Sequence, residues 1–229
     1  MEASLAALAP QLQLSRPGPL VPVLPALRDL LPERGLRPGA VVSVTGGTAL
    51  VLALAAAATS EGTWAGAVGI DDLGTLAAAE LGVDLRRLIV IEAPRERQAE
   101  VALAMADGVG LLLLGGAAPT AAARERLANV ARRSGCAVVV AGEWPGARVR
   151  LRVVARHWEG LGAGRGRLRA RRLVVETGGR GAAARERRVG LWLPDAQGAV
   201  RTAEAEASVS AVPGAAVRTA AGRGPLTVV

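Results

Sequence analysis

Short β-rich runs alternate with alanine-rich helical segments between Gly39 and Gly142. Runs such as LLLL (111–114) and VVV (138–140) are apolar on both faces, as expected for interior parallel strands that helices cover on each side. The alternation predicts an α/β doubly wound fold with a mostly parallel sheet and helices on both faces. The predicted strands are 40–45, 64–70, 88–93, 109–115 and 136–142, and the predicted helices begin near 48 and cover 72–82, 96–108 and 119–135.

Capping residues mark the ends of two of these helices. Asp72 is the candidate N-cap of the second helix, and Gly82 is its C-terminal glycine. The fourth helix places Leu127 and Val130 on one face and ends at Gly135. These signals predict the boundaries of the second and fourth helices from residue type alone.

The pattern changes after Gly142, where apolar and polar residues alternate and glycine-rich turns separate the runs. The runs 148–158, 166–177 and 185–194 predict antiparallel strands that extend the sheet. Glycine at every second position from 160 to 166 predicts the loop of a hairpin and does not match a dinucleotide-binding motif.

Thirteen arginines and three glutamates lie between Arg148 and Arg188. The arginines form either a solvated edge face or a surface that binds an anion or a partner. The candidate residues for such a surface are Arg150, Arg152, Arg167, Arg169, Arg171 and Arg172.

Three segments are expected along the chain. Residues 1–22 form an N-terminal segment, and residues 23–194 form the core domain, with its arginine-rich antiparallel strands from about 148. Residues 195–229 are small, polar and interrupted by glycine and proline. This composition predicts a flexible C-terminal tail that a partner could order.

The charge balance favours an anionic partner. The chain has 28 Lys+Arg against 20 Asp+Glu, a net charge of +8, and all 28 cations are arginine. Nucleic acid, an acidic protein surface and a membrane face are all compatible with this charge. The absence of Phe and Tyr argues against single-strand platforms that stack bases on those residues.

Three tryptophans are candidate anchors for a partner, with core filling as the alternative for each, because the chain has no other large aromatic residue type. These are Trp144, Trp158 and Trp192.

The single cysteine and the single histidine exclude several kinds of site. Cys136 lies in an apolar run and is predicted to be buried, so neither a disulfide framework nor a cysteine zinc cluster can form. His157 lies in an alternating run and is predicted to be solvated or at the edge of the core. The N-terminus lacks a basic region, and the apolar run 49–59 is too short to span a bilayer, so we expect a cytoplasmic protein without a membrane partner.

The segment VVSVTGGTALVLAL (41–54) has the order strand, glycine turn, helix that is typical of a nucleotide-binding loop. A Walker loop needs about eight residues and a lysine to surround the phosphates. Here only Thr45, Gly46 and Gly47 separate the strand from the helix, and Thr48 follows without a lysine after it. We therefore interpret the loop as a tight turn at a helix start and predict no bound cofactor or metal.

The segments LRDLLPERGLRPGAVVSVTGG (27–47) and AVGIDDLGTLAAAELGVDLRRLIVIEAP (67–94) resemble the core of the RecA/RadA recombinase superfamily. The segments HWEGLGAGRGRLRARRLVVE (157–176) and GRGAAARERRVGLWLP (179–194) resemble the actinobacterial ImuA-type accessory proteins of the damage-induced mutasome. The likeness covers roughly residues 20–195. It implies a RecA-like fold.

The resemblance also shows where the ATPase parts are missing. The loop lacks the Walker lysine, and the fourth strand ends at Gly115 where a Walker B aspartate would hold Mg²⁺. Asp71 and Asp72 fall near the position of the recombinase catalytic glutamate, and we favour a helix-cap role for them. We therefore expect no enzymatic activity.

The resemblance implies a non-catalytic adaptor in damage-induced translesion synthesis. Its implied partner is an ImuB-type inactive Y-family polymerase homologue, and it would support an error-prone C-family polymerase indirectly. It would be associated with the nucleoid under DNA damage. A basic DNA-binding protein and a regulator of RecA filaments are the alternatives, so DNA and RecA are further candidate partners.

Overall fold

One mixed sheet organises the computed structural model, which describes residues 19–71, 73–115, 120–162 and 165–203. Within these residues, nine strands follow the spatial order β3-β2-β4-β5-β1-β6-β7-β8-β9. The strands are β1 Val41–Thr45, β2 Ala65–Val68, β3 Leu88–Ile91, β4 Leu111–Leu114, β5 Ala137–Ala141, β6 Val149–Gly162, β7 Arg165–Gly179, β8 Arg187–Trp192 and β9 Arg201–Ala203.

Four α-helices connect the parallel strands, and short 3₁₀ helices supplement them. The α-helices are α1 Thr48–Ser60, α2 Thr75–Glu80, α3 Gln98–Gly108 and α4 Ala121–Ser134. The 3₁₀ helices are Pro25–Leu30, Leu85–Arg87 and Gly181–Ala183.

Strands β1 to β5 form the parallel half of the sheet, since β1 pairs with β5, β5 with β4, β4 with β2 and β2 with β3. The five predicted strands are confirmed, each slightly shorter than its apolar run. The four predicted helices are confirmed as well. This is the RecA-like α/β layout that the sequence predicts.

Helices cover both faces of the parallel half, and each face has its own apolar core. On one face, α1 and the 3₁₀ helix Pro25–Leu30 pack against alternate strand residues such as Val42 and Leu113. On the other face, α3 and α4 pack against the intervening residues, including Leu112 and Val138. Ten consecutive residues of α1 (50–59) are buried, so this helix lies inside the molecule except at its two ends.

The helix boundaries agree with the sequence at three ends and differ at one. Thr120 caps α4 by accepting a hydrogen bond from the Ala123 amide (3.2 Å), and Gly135 ends the helix with left-handed backbone angles. Gly82 follows α2 with φ +92°.

The prediction of Asp72 as the N-cap of α2 is wrong. The helix begins at Thr75 with Gly74 as N-cap, and Asp72 itself lies outside the described residues. Leu73 packs against the core and Gly74 is extended (φ −70°, ψ 102°), so the chain turns into the helix only after them.

Strands β6 to β9 form the antiparallel half. Strand β6 joins the two halves, because it pairs parallel with β1 and antiparallel with β7. The three predicted antiparallel runs are confirmed as β6, β7 and β8, and a hairpin joins β6 to β7 as predicted. Its loop is shorter than predicted, because the glycines at 160, 162 and 166 lie within the two strands. Strand β9 pairs with β8, so the sheet continues to Ala203, beyond the residue at which the sequence suggested that the tail begins. The rest of the expected tail, and residues 1–18 of the N-terminal segment, lie outside the described residues.

Among the helices of the described ranges, none combines the length and apolar character that a membrane span requires.

Candidate functional site

The loop between β1 and α1, residues 45–48, is held against β6. Gly46 has φ +88°, and a Cβ there would lie 2.9 Å from the Val153 carbonyl oxygen, so this position requires glycine. The Arg156 guanidinium donates a hydrogen bond to the Gly46 carbonyl oxygen (2.8 Å). A phosphate cradle presents converging N–H donors. In this loop, by contrast, the Gly46 carbonyl oxygen accepts a hydrogen bond from the Arg156 guanidinium.

A shallow cavity of about 350 Å³ lies over this loop, at the carboxyl ends of β1 and β5. Its lining includes Gly46, Gly47, Thr48 and the carboxylate residue Glu143. Gly47 is the N-cap residue of α1 and Thr48 is its first residue, and no side chain caps the helix. The dipole of α1 favours an anion at this end, but the Glu143 carboxylate opposes one.

The residue that follows β4 cannot be an aspartate in this backbone. A Cβ at Gly115 would lie 2.5 Å from the Gly69 carbonyl oxygen and 2.8 Å from the Ile70 Cα. Both neighbours are backbone atoms, which cannot move aside cheaply. The position where recombinases hold Mg²⁺ is therefore closed to a side chain by the chain that leaves β2.

Asp71 lies at a different place from the loop cavity. It lines a larger cavity of about 560 Å³ at the carboxyl ends of β2 and β3, together with Glu92 and Gln98. Gln98 is nearly buried and donates to the Ala93 carbonyl oxygen (3.3 Å). The structure thus does not place Asp71 in the lining of the cavity over Thr48.

The candidate arginines separate into two groups, of which the first is an ion-pair face on β6, β7 and β8. Glu176 on β7 accepts hydrogen bonds from Arg152 on β6 and from Arg188 on β8 (2.7 Å for Arg188 Nη2). These bonds, that of Arg152 first, hold the pKa of Glu176 below its usual range. Arg150 lines the same surface beside Glu186. Much of the positive charge of this ion-pair face is compensated within the protein.

The second group lies on the projecting part of the β6–β7 hairpin. We call residues 153–162 and 165–171 the ribbon. Trp158 is 43% exposed, and the guanidinium carbon of Arg171 lies over its ring, 5.0 Å from the centroid. Burial lowers the pKa of Arg171, and the nearby positive charge of Arg156 lowers it further. Arg167 and Arg169 are both exposed on the ribbon.

The remaining candidates are less accessible. Trp144 is 4% exposed and packs in the core under α3 and α4, so the alternative of core filling holds for it and the anchor role does not. Trp192 and Arg172 are half-buried cross-strand partners on β8 and β7. Of the three tryptophans proposed as anchors, Trp158 is the exposed one.

Cysteine and histidine lie where the sequence predicts. Cys136 is fully buried, and burial raises the pKa of its thiol to about 12. His157 is exposed on β6 opposite Arg172. No group of three or more His, Cys, Asp or Glu residues that could hold a metal ion occurs in the described part of the chain.

One feature that sequence reasoning missed is the free edge of β3. This strand ends the sheet of the described residues, and exposed apolar side chains lie on it and just before it: Val90 is 44% exposed and Leu85 42%. Leu76 on α2 is 72% exposed. The 560 Å³ cavity, which Val90 and Ile91 help to line, adjoins this edge. An unpaired apolar edge is a template for another β-strand. The run LIVI was a visible signal for a strand, but not for its place in the sheet order.

A known protein family matches the parallel half of the sheet. The model of the MT3502 N-terminal domain family matches residues 29–146, slightly more than half of the 229 residues. The chain belongs to this family. The matched residues of the MT3502 N-terminal domain include the loop over α1 and the β3 edge, and they end before β6.

Among curated proteins, the chain is similar to the uncharacterised protein Rv3395c of Mycobacterium tuberculosis. The two are 39% identical over 140 residues, which is 60% of this chain and 65% of that protein. The match therefore spans slightly less than two thirds of the relative's length. Among solved structures, SulA from Pseudomonas aeruginosa matches with a TM-score of 0.40 and 12% identity, over 45% of this chain and 98% of the SulA chain.

Proposed function

We propose that this protein is a non-catalytic RecA-like adaptor of a damage-induced translesion-synthesis mutasome. The observation that carries the proposal is the condition of the loop between β1 and α1. In the described residues, a parallel sheet with helices on both faces surrounds this loop. The loop itself has no lysine and contacts β6 through Gly46, and the cavity over it is lined in part by Glu143.

The energies of the missing phosphate and metal contacts support a non-catalytic role over an ATPase role. Phosphate and metal contacts each stabilise the transition state of phosphoryl transfer by several kcal/mol, and about 1.4 kcal/mol changes a rate tenfold. Closure of position 115 by the backbone of Gly69 and Ile70 removes a place for the Mg²⁺-holding aspartate. Any residual hydrolysis would therefore be slow.

The partners come from the ImuA-type resemblance of residues 20–195. It implies an ImuB-type inactive Y-family polymerase homologue as the direct partner and an error-prone C-family polymerase as the indirect one, at the nucleoid of cells with damaged DNA. We assign the direct partner to the β3 edge. Among the described strands β3 has no neighbour on its outer side, and Val90 on the strand and Leu85 just before it supply exposed apolar contacts.

A pull-down with the ImuB-type homologue of the same organism tests this assignment. Val90→Glu places a charge on the edge of β3, and we expect it to weaken binding about tenfold or more, because an added strand would bury that charge. Val154→Glu is the matched control: it makes the same change at a similarly exposed valine (40%) on the ribbon. Equal binding by both variants and the wild type would exclude the β3 edge, and absence of any binding by the wild type would contradict the adaptor function.

A further inference from the structure

The ribbon projects beyond the strands that flank it. Strand β6 pairs with β1 only as far as Arg152, and in the described residues the pairing of β7 with β8 starts at Arg172. Past these points β6 and β7 pair with each other up to Gly162 and Arg165. At about 3.3 Å per residue the two strands extend by roughly 25 Å. Residues 156–160 and 166–169 of the ribbon are exposed, whereas Ala170 is 4% exposed and the Arg171 backbone still hydrogen-bonds with Leu193 and Pro194.

The charge of this projecting segment is strongly one-sided. Between residues 156 and 172 the sequence has six arginines and one glutamate. Within the described residues, no carboxylate forms an ion pair with Arg156, Arg167 or Arg169, in contrast to Arg152 and Arg188, which share Glu176. Burial is the main cause of the lowered pKa of Arg171, and the positive charge of Arg156 lowers that pKa further, which places these two cations near each other. The ribbon therefore keeps a positive potential that the ion-pair face does not.

An exposed aromatic ring lies within this charge. Trp158 is 43% exposed and Leu168 45%, so the ribbon combines cations with flat and apolar surface. Proteins that bind single-stranded nucleic acid use this combination, with arginines on the phosphates and an aromatic ring under a base. Residues two apart along a strand, such as Arg167 and Arg169, are about 6.7 Å apart, which allows a row of phosphates to be followed.

We propose that the ribbon binds the phosphate backbone of a nucleic acid strand through Arg156, Arg167 and Arg169, with Trp158 stacking on a base. The excess of arginines over the single glutamate, Glu159, together with the exposed ring of Trp158, favours this ligand over an acidic protein surface, which would not need a ring for stacking. The proposal rests on the ribbon alone and is independent of the adaptor function and of the β3 edge.

Fluorescence anisotropy of labelled DNA and RNA 20-mers, single- and double-stranded, tests the proposal with the full chain. The wild type is titrated between 50 and 200 mM salt, and log K should fall linearly with log salt. The variant Arg167→Gln/Arg169→Gln should reduce that slope by about 1.4 on single strands and about 1.8 on duplexes. Trp158→Ala should weaken single-strand binding by about tenfold.

The matched control is Arg132→Gln/Arg133→Gln, which removes the same charge from two exposed arginines of α4. If the slope of log K against log salt is unchanged in this control, the result supports nucleic acid binding by the ribbon. An equal loss in both double variants, or no binding by the wild type at 50 mM salt, would overturn the proposal. Competition by poly-glutamate as effective as that by unlabelled DNA of equal charge would also overturn it, because the ribbon would then recognise acid and not phosphate.

Discussion

Glu176 is the residue that compensates the arginines of the ion-pair face, and its removal should be measurable. Glu176→Gln loses charge-assisted bonds to Arg152 and Arg188. Since both guanidinium groups are about two thirds exposed, we expect a loss of under about 1 kcal/mol in unfolding free energy at pH 7. Urea denaturation measures it, and Glu80→Gln, at an exposed position of α2, is the control.

The difference in unfolding free energy between the wild type and Glu176→Gln should depend on pH in one direction. The pKa of Glu176 is lower in the folded than in the unfolded chain. Its stabilisation is therefore present above the ordinary glutamate pKa of about 4.3 and is lost as the pH falls through the lower folded value. The stabilities of wild type and Glu176→Gln should converge in acid. A difference that stays constant from pH 7 to pH 3 would contradict the ion-pair explanation.

Cys136 gives a second prediction at the residue scale. Burial keeps its thiol protonated, with a pKa of about 12, whereas an unfolded cysteine ionises near about 8.5. Iodoacetamide at pH 8 should therefore label the protein only after denaturation. Stability should also fall as the pH rises from about 8.5 towards 12, because the unfolded chain releases this proton first. Cys136→Ala should lack that component, and rapid labelling of the folded wild type would show that the thiol is accessible.

At the scale of the element, α1 is the most deeply buried helix of the described chain, and its packing is alanine and leucine on every side. Leu54→Ala should destabilise the protein by about 2–5 kcal/mol, because it leaves a cavity in a close-packed core. Leu76→Ala on α2 makes the same chemical change at a 72% exposed position and should stay within about 0.5 kcal/mol of the wild type. Chemical denaturation compares them, and similar losses would mean that α1 is less tightly packed than its burial indicates.

The elements were predictable because their signals are local. Runs such as LLLL need only their own residues to indicate a buried strand, and Gly135 needs only its position to indicate a helix end. The start of α2 was not predictable from Asp72, because the tertiary position of Leu73 decides where the chain can turn. The strand order was equally hidden: nothing within the run LIVI indicates that β3 forms the edge of the sheet.

At the scale of the whole molecule, the sequence predicts which residues the candidate site has or lacks. It does not predict which of them lie close together. The missing lysine and Gly115 are visible in the sequence. The closure of position 115 by Gly69 and the approach of Glu143 depend on the register of distant strands. The separation of Arg152 from Arg167 likewise depends on how far β6 extends past β1.

Strand β9 is the last strand of the described residues, and truncation tests its contribution to stability. Arg201 on β9 pairs with the carboxylate of the nearly buried Asp195 (2.7 Å), and Asp195 also accepts from the amides of Gln197 and Ala199. A chain ending at Ala203 should keep the full melting temperature. A chain ending at Asp195 loses these bonds and the β8–β9 ladder, about 2 kcal/mol, which corresponds to roughly 4–8 °C for a domain of this size.

Calorimetry of the two truncated chains and the full chain separates the contribution of β9 from that of the tail. The distinction matters for any test of partner binding. If the chain ending at Asp195 lost binding, the cause could be either the weakened sheet or the missing tail. The chain ending at Ala203 removes the tail alone. If both truncated chains have the same melting temperature as the full chain, β9 contributes nothing to stability.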